Sequence, residues 1–159
     1  MSFRKLILLL AIFTLTTVRG ESLLNVRHYS LEDGLSQNTI QSILQDDKGY
    51  IWLATWNGLE RFDGYSFKNY KSYPTDRVRL SYNRITHIEK GFGSHIWCQT
   101  FGGHTYLFDS DTEQFLNPLS EQGDFISGKS PRIFPLKKGV TWVVTPNGCL
   151  LYTSDAADD

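Results

Sequence analysis

Tyr50-Ile51-Trp52-Leu53-Ala54-Thr55-Trp56-Asn57-Gly58 is the stretch that decides the fold. Its first six residues are apolar almost without a break, rich in aromatic and β-branched types, and too few for a helix. Asn57-Gly58 then supplies the strongest short hairpin signal, because a type I′ turn needs positive φ at both central residues. A strand with one wet face alternates polar and apolar residues, so an unbroken apolar run predicts a strand covered on both faces. Asp47-Lys48-Gly49 marks a turn just before it. Working outward, Thr39–Gln45, Tyr50–Thr55, Leu59–Phe62 and Ser66–Tyr70 read as four consecutive strands.

The pattern returns. His95-Ile96-Trp97-Cys98-Gln99-Thr100 and Val140-Thr141-Trp142-Val143-Val144-Thr145 match the first run, with Trp52, Trp97 and Trp142 spaced 45 residues apart. The same offset joins Leu35 to Leu80, Asn38 to Asn83, Ile43 to Ile88 and Ile133, Thr55 to Thr100 and Thr145, and Gly58 to Gly103 and Gly148. A four-stranded unit at this period is a propeller blade. The expected fold is all-β: a partial β-propeller of about three four-stranded antiparallel blades, preceded by a signal peptide helix. The divisions are a signal peptide at 1–20, an N-terminal strand at 21–34, blades at 35–79 and 80–124, an incomplete blade at 125–152, and a tail at 153–159. Asn38, Trp52, Gly58, Asn83, Trp97, Gly103, Trp142 and Gly148 are the structural repeat positions. The tryptophans read as core packing, and the asparagines as backbone partners in a recurring turn.

Both ends differ from the repeat. Arg4 and Lys5 precede an apolar run from Leu6 to Leu15, and Val18-Arg19-Gly20 places small residues for cleavage before Glu21. This is the pattern of an export signal, and the run is short for a membrane span. Val26-Arg27-His28-Tyr29 resembles Phe67-Lys68-Asn69-Tyr70, so it is expected to add a ring-closing strand to the last blade. After Tyr152 the register is lost in an acidic tail with no fourth strand, which reads as truncation with a tail foreign to the parent gene.

The rest of the sequence excludes several chemistries. A net charge of −1 gives no field to hold nucleic acid. Cys98 and Cys149 sit at non-equivalent repeat positions, so a bridge between them is open but not indicated. His28, His87, His95 and His104 lack metal-ligand spacing, and no metal or cofactor is expected. Glu32-Asp33 and Asp46-Asp47 are adjacent in turns, where Asp caps its own backbone. Neighbours on a strand point to opposite faces, so adjacency makes no acid/base pair. There is no phosphate loop and no nucleophile elbow, and no catalytic residue is assigned. Trp56 lies in the turn after the second strand, with Phe101 and Pro146 as counterparts. Such rings either stack on a sugar or pack between blades. Arg61, Arg84 and His104 are the polar candidates beside Trp56 and Phe101 for a ligand.

Tyr29-Ser30-Leu31-Glu32-Asp33-Gly34-Leu35-Ser36-Gln37-Asn38-Thr39-Ile40 closely resembles the opening of the periplasmic sensor region of Bacteroides-type hybrid two-component regulators. The following Asp46–Thr55 and Asn57–Gly64 are similar to the regulator-propeller repeat of that family. In the second repeat one extra residue precedes Asp109, and no arginine matches Arg61. The resemblance implies a periplasmic, oligosaccharide-sensing module of a larger, inner-membrane-anchored, dimeric histidine kinase, whose remainder would be its partner and whose propeller makes no nucleic acid contact. The competing readings are a secreted propeller lyase or hydrolase and a protein-interaction propeller. An isolated run of blades with an open apolar face is expected to be poorly stable.

Overall fold

A computed structural model describes residues 25–117, 132–136, 139–145 and 148–153. The expected signal peptide (1–20) and residues 154–159 of the expected tail lie outside the described residues.

The described chain forms three antiparallel sheets. The first holds β1 (Ile40–Gln45), β2 (Ile51–Thr55), β3 (Gly58–Phe62) and β4 (Phe67–Tyr70), hydrogen-bonded in chain order. The second repeats it with β5 (Ile85–Lys90), β6 (His95–Thr100), β7 (Thr105–Asp109) and β8 (Gln114–Leu116). The third contains β9 (Arg132–Pro135), β10 (Val140–Thr145) and β11 (Gly148–Thr153). Thr153, the first residue of the expected tail, still belongs to β11 and pairs with Val140. One short 3-10 helix, Leu31–Asp33, precedes the first sheet; Ser30 caps its start and Asp33 bonds back to the Ser30 N–H at 2.8 Å.

The first two sheets share a detail that side-chain patterning does not reveal. Each first strand carries a bulge at the same place, between Ile40 and Ser42 and between Ile85 and His87. A bulge adds one residue and sharpens the local twist.

Stacking buries the sheets. Trp52, Ala54 and Leu59 of the first sheet pack with Ile88, Ile96, Cys98, Tyr106 and Phe108 of the second. The Trp52 ring lies 5.5 Å from Phe108 and 5.7 Å from Tyr70, in tilted and edge arrangements that favour aromatic pairs. Trp97 and Leu107 pack the second sheet on Val143 of the third, with Ile133, Leu150 and Tyr152 around them. β6 thus has a sheet on each face; β2 has the second sheet on one face, though Trp52, Leu53 and Ala54 are all buried.

Trp142 departs from the expected core role. It is 39% exposed, together with its cross-strand neighbours Phe134 and Leu151. Each repeated tryptophan points at the following sheet, and no described sheet covers the outer face of the third. β10 accordingly alternates where β2 and β6 do not. On the opposite outer face Ile43 is exposed, whereas its repeat mate Ile88 is buried between sheets.

Of the expected ring-closing strand at 21–34, residues 21–24 lie outside the described residues. Residues 25–30 carry no strand pairing among the described residues, and the Tyr29 ring packs on Phe62 at 4.9 Å and Phe67 at 5.6 Å. Cys98 is buried and Cys149 exposed, both as free thiols.

Candidate functional site

The turns after β2 and β6 lie at one end of neighbouring sheets. Thr55 pairs with Gly58 across a two-residue turn, and the Thr55 hydroxyl donates to the Gly58 carbonyl at 2.9 Å while accepting from the Asn57 N–H at 3.0 Å. Gly58 has φ +121°, and a Cβ there would collide with the Tyr70 carbonyl, so this position admits only glycine. The equivalent turn in the second sheet is one residue longer. Thr100 N–H donates to the His104 carbonyl, and Gly103 at φ +80° makes the left-handed step that a longer hairpin turn needs.

These two turns hold Trp56 and Phe101 outward, 44% and 63% exposed. Arg84, at the end of the connection into β5, reaches both rings: its guanidinium carbon lies 3.8 Å from the Trp56 centroid and 4.7 Å from that of Phe101. The Phe101 N–H donates to the Arg84 carbonyl at 2.9 Å, tying the two loops together. Tyr82 joins the group, its ring edge-on to Phe101 at 6.4 Å and laid over Gly102, where a Cβ would meet the ring at 2.6 Å. His104 pairs with the Ser81 hydroxyl at 3.1 Å. Four sequence candidates, Trp56, Arg84, Phe101 and His104, therefore share one surface. Trp56 is not buried between blades; it spans them at the rim with one ring face under Arg84. Tyr82 was not singled out from sequence. The available signal was an aromatic in an otherwise polar turn, where the first repeat has Gln37.

Arg61 is elsewhere. It lies on β3 among Tyr50, Trp52 and Tyr70, 4.8 to 5.9 Å from their centroids, and pairs with Glu113 of the second sheet at 3.4 Å. Glu113 also takes Lys68 at 2.5 Å and the Tyr70 hydroxyl at 2.8 Å. These bonds, the Lys68 one foremost, hold the Glu113 carboxyl below the usual range. Burial, helped by Glu113, pushes the Tyr70 hydroxyl up. Glu113 keeps φ +56°, a costly value for a non-glycine residue, within this knot of bonds. Arg61 is therefore a clamp between blades and not part of the ring-bearing surface. Lys48 with Asp111 and Lys90 with Asp47 add ion pairs between the same two sheets.

The repeated turn before each first strand is pinned by different chemistry in each blade. Ser36 N–H donates to the buried Glu60 carboxylate at 2.6 Å, and Ser81 N–H donates to the Tyr106 hydroxyl at 3.0 Å. Burial raises the Glu60 carboxyl, whose second oxygen has no partner among the described residues. Asn83 accepts from the Ser72 N–H and donates to the Ser72 carbonyl, the architectural part expected of it, whereas Asn38 stays exposed. Asp46 caps its own turn through Lys48 and Tyr50 N–H and takes the Trp52 indole N–H at 2.7 Å. Among the described residues no three His, Cys, Asp or Glu side chains are grouped to hold a metal ion.

Residues 34–57, which contain the pinned turn, β1, β2 and Trp56, match the family model described as two component regulator propeller. This segment is similar to one repeat of that family. A 49-residue stretch of the chain is 45% identical to Histidine kinase P4 of Formosa agariphila, covering 31% of the chain and 4% of that kinase. Among solved structures, the chain is similar to an extracellular domain described as that of a hybrid two component system from B. thetaiotaomicron. The identity is 26% and the TM-score 0.61, over 75% of this chain and 17% of that one. An extracellular domain described as that of a one component system from the same organism matches at 24% identity and a TM-score of 0.55, over 77% of this chain and 18% of that one. The latter likeness is one of fold. The chain thus spans about a sixth of these structures and a small part of the kinase.

Proposed function

We propose that the chain is part of an exported, non-catalytic sensor of a two-component system, and that its ligand is a carbohydrate received on the surface formed by Trp56, Tyr82, Arg84 and Phe101. The observation that carries this reading is the exposure of three aromatic rings at one arginine: Trp56 and Phe101 on hairpin turns under Arg84, and Tyr82 on the connection into β5 against Phe101. Exposed rings of this size cost free energy in water unless something covers them. Sugar rings present C–H bonds that fit the negative face of an aromatic ring, while Arg84 and His104 offer polar partners at the margin. The blades would keep this surface pre-formed, so little ordering is lost on binding. In the intact sensor the bound sugar would favour one arrangement of the membrane-anchored dimer, which requires unequal affinity for two states.

The test is a screen of the full 159-residue chain against an oligosaccharide array, followed by titration of any hit with Trp56→Ala. Binding at micromolar to millimolar strength that falls about tenfold or more in the variant supports the reading, since a tenfold loss matches one aromatic contact of about 1.4 kcal/mol. An array without hits, or a hit indifferent to Trp56→Ala, overturns it.

A further inference from the structure

Two of the arginine–aromatic groups among the described residues, those of Arg61 and Arg84, differ in one respect. Arg61 is held by rings and also by the carboxylate of Glu113. The Arg84 side chain is held, among the described residues, by the Trp56 and Phe101 rings. Among the described residues no carboxylate lies within ion-pair distance of it, and its guanidinium makes no hydrogen bond. Stacking uses the faces of a guanidinium and leaves its in-plane N–H fork open, the geometry that takes a carboxylate or sulfate through two parallel bonds. Trp56 and Phe101 fix that fork in place, so less side-chain freedom is lost on pairing. The flanking Tyr82 and His104 add donors, and none of the five residues is an acid.

We infer that this surface selects acidic sugars: the anionic group of an oligosaccharide pairs with Arg84, and neighbouring sugar rings lie on Trp56 and Phe101. The inference rests on the carbohydrate reading above and adds the charge of the ligand to it. Carboxylate and sulfate share the required chemistry.

The experiment uses the full chain and calorimetric titration. The probes are a tetragalacturonate, its fully methyl-esterified counterpart, and a carrageenan tetrasaccharide bearing sulfate. The expected result is that the ester, which keeps the ring and loses the charge, binds at least tenfold more weakly than the acid. Affinity for the acidic probe should fall several-fold as sodium chloride rises from about 50 to 300 mM, as an exposed charge pair requires. Arg84→Gln should remove the preference, and Arg84→Lys should restore only part of it, because an ammonium keeps the charge without the fork. A stronger response to the sulfated probe assigns sulfate, and a stronger response to the uronate assigns carboxylate. Equal binding of acid and ester, with no salt dependence, overturns the inference while leaving the carbohydrate reading standing. Absence of binding by all three probes and by the array removes both. Because the salt series uses the wild-type chain, a poorly folded variant does not blur the outcome.

Discussion

Arg61 and Arg84 both sit over aromatic rings, yet the two surroundings make them opposites. Around Arg61 the rings of Tyr50, Trp52 and Tyr70 belong to the packed seam between the first two blades, and Glu113 answers the charge from across that seam. Around Arg84 the rings stand on turns at the rim, and no described acid answers it. The same residue pairing is a fastener where a second sheet closes over it and is left open at the rim where none does. What separates them is the partner brought in by stacking, not the arginine or its rings.

The sharpest way to break the contrast is to remove one tryptophan from each group. Trp52 is fully buried and also hydrogen-bonded to Asp46, so Trp52→Ala should lower unfolding stability by about 3–5 kcal/mol in urea titration. Trp56→Ala should change it by no more than about 0.5 kcal/mol, the usual range for an exposed position. Similar losses at both positions would mean that the rim rings are structural after all.

A smaller effect is expected at Glu113. Glu113→Gln weakens bonds to Arg61, Lys68 and the Tyr70 hydroxyl, and at a half-exposed site the loss should be about 1–2 kcal/mol. Its carboxyl is more acidic folded than unfolded, so its stabilisation is present at neutral pH and disappears as pH falls through the folded value, below the ordinary glutamate range. The variant's melting curve should therefore converge on the wild type in acid. A difference that stays constant with pH would remove Glu113 as the answering charge.

Glu60 should show the reverse sign and the smallest change. Burial raises its folded value above the ordinary glutamate range, so any stability tied to its protonated form is lost as pH rises through that raised value. The melting temperature of Glu60→Gln, taken relative to wild type, should climb from pH 4 to pH 7.5. A flat difference would show that the buried carboxyl titrates as it does in the unfolded chain.

Much of this was legible in the residues. The four strands of the first blade fall within one or two residues of the expected bounds, because apolar runs and Asn-Gly turns act over a few neighbours. The hairpin that presents Trp56 could be read from Asn57-Gly58, but not its turn type. Trp56 and Asn57 are the two turn residues, and of Asn57 and Gly58 only Gly58 takes positive φ, so the type I′ turn expected with Asn57-Gly58 at its centre does not form. Arg61 misled because its place in the repeat says nothing of Glu113, 52 residues away. Tyr82 escaped notice because its ring gains meaning only beside Phe101 and over Gly102. Trp142 matched its register and still lies open, since register reports the direction of a side chain and not whether another sheet meets it.

The sequence by itself determined the strand order, the hairpins, the period of the blades and the repeated placement of tryptophan, all set by local backbone preference and by which residues avoid water. Only the tertiary structure decided which arginine found an acid, which tryptophan was covered and which turn residues came to share a surface. Those outcomes depend on side chains tens of residues apart, brought within a few ångströms when one twisted sheet stacks upon the next.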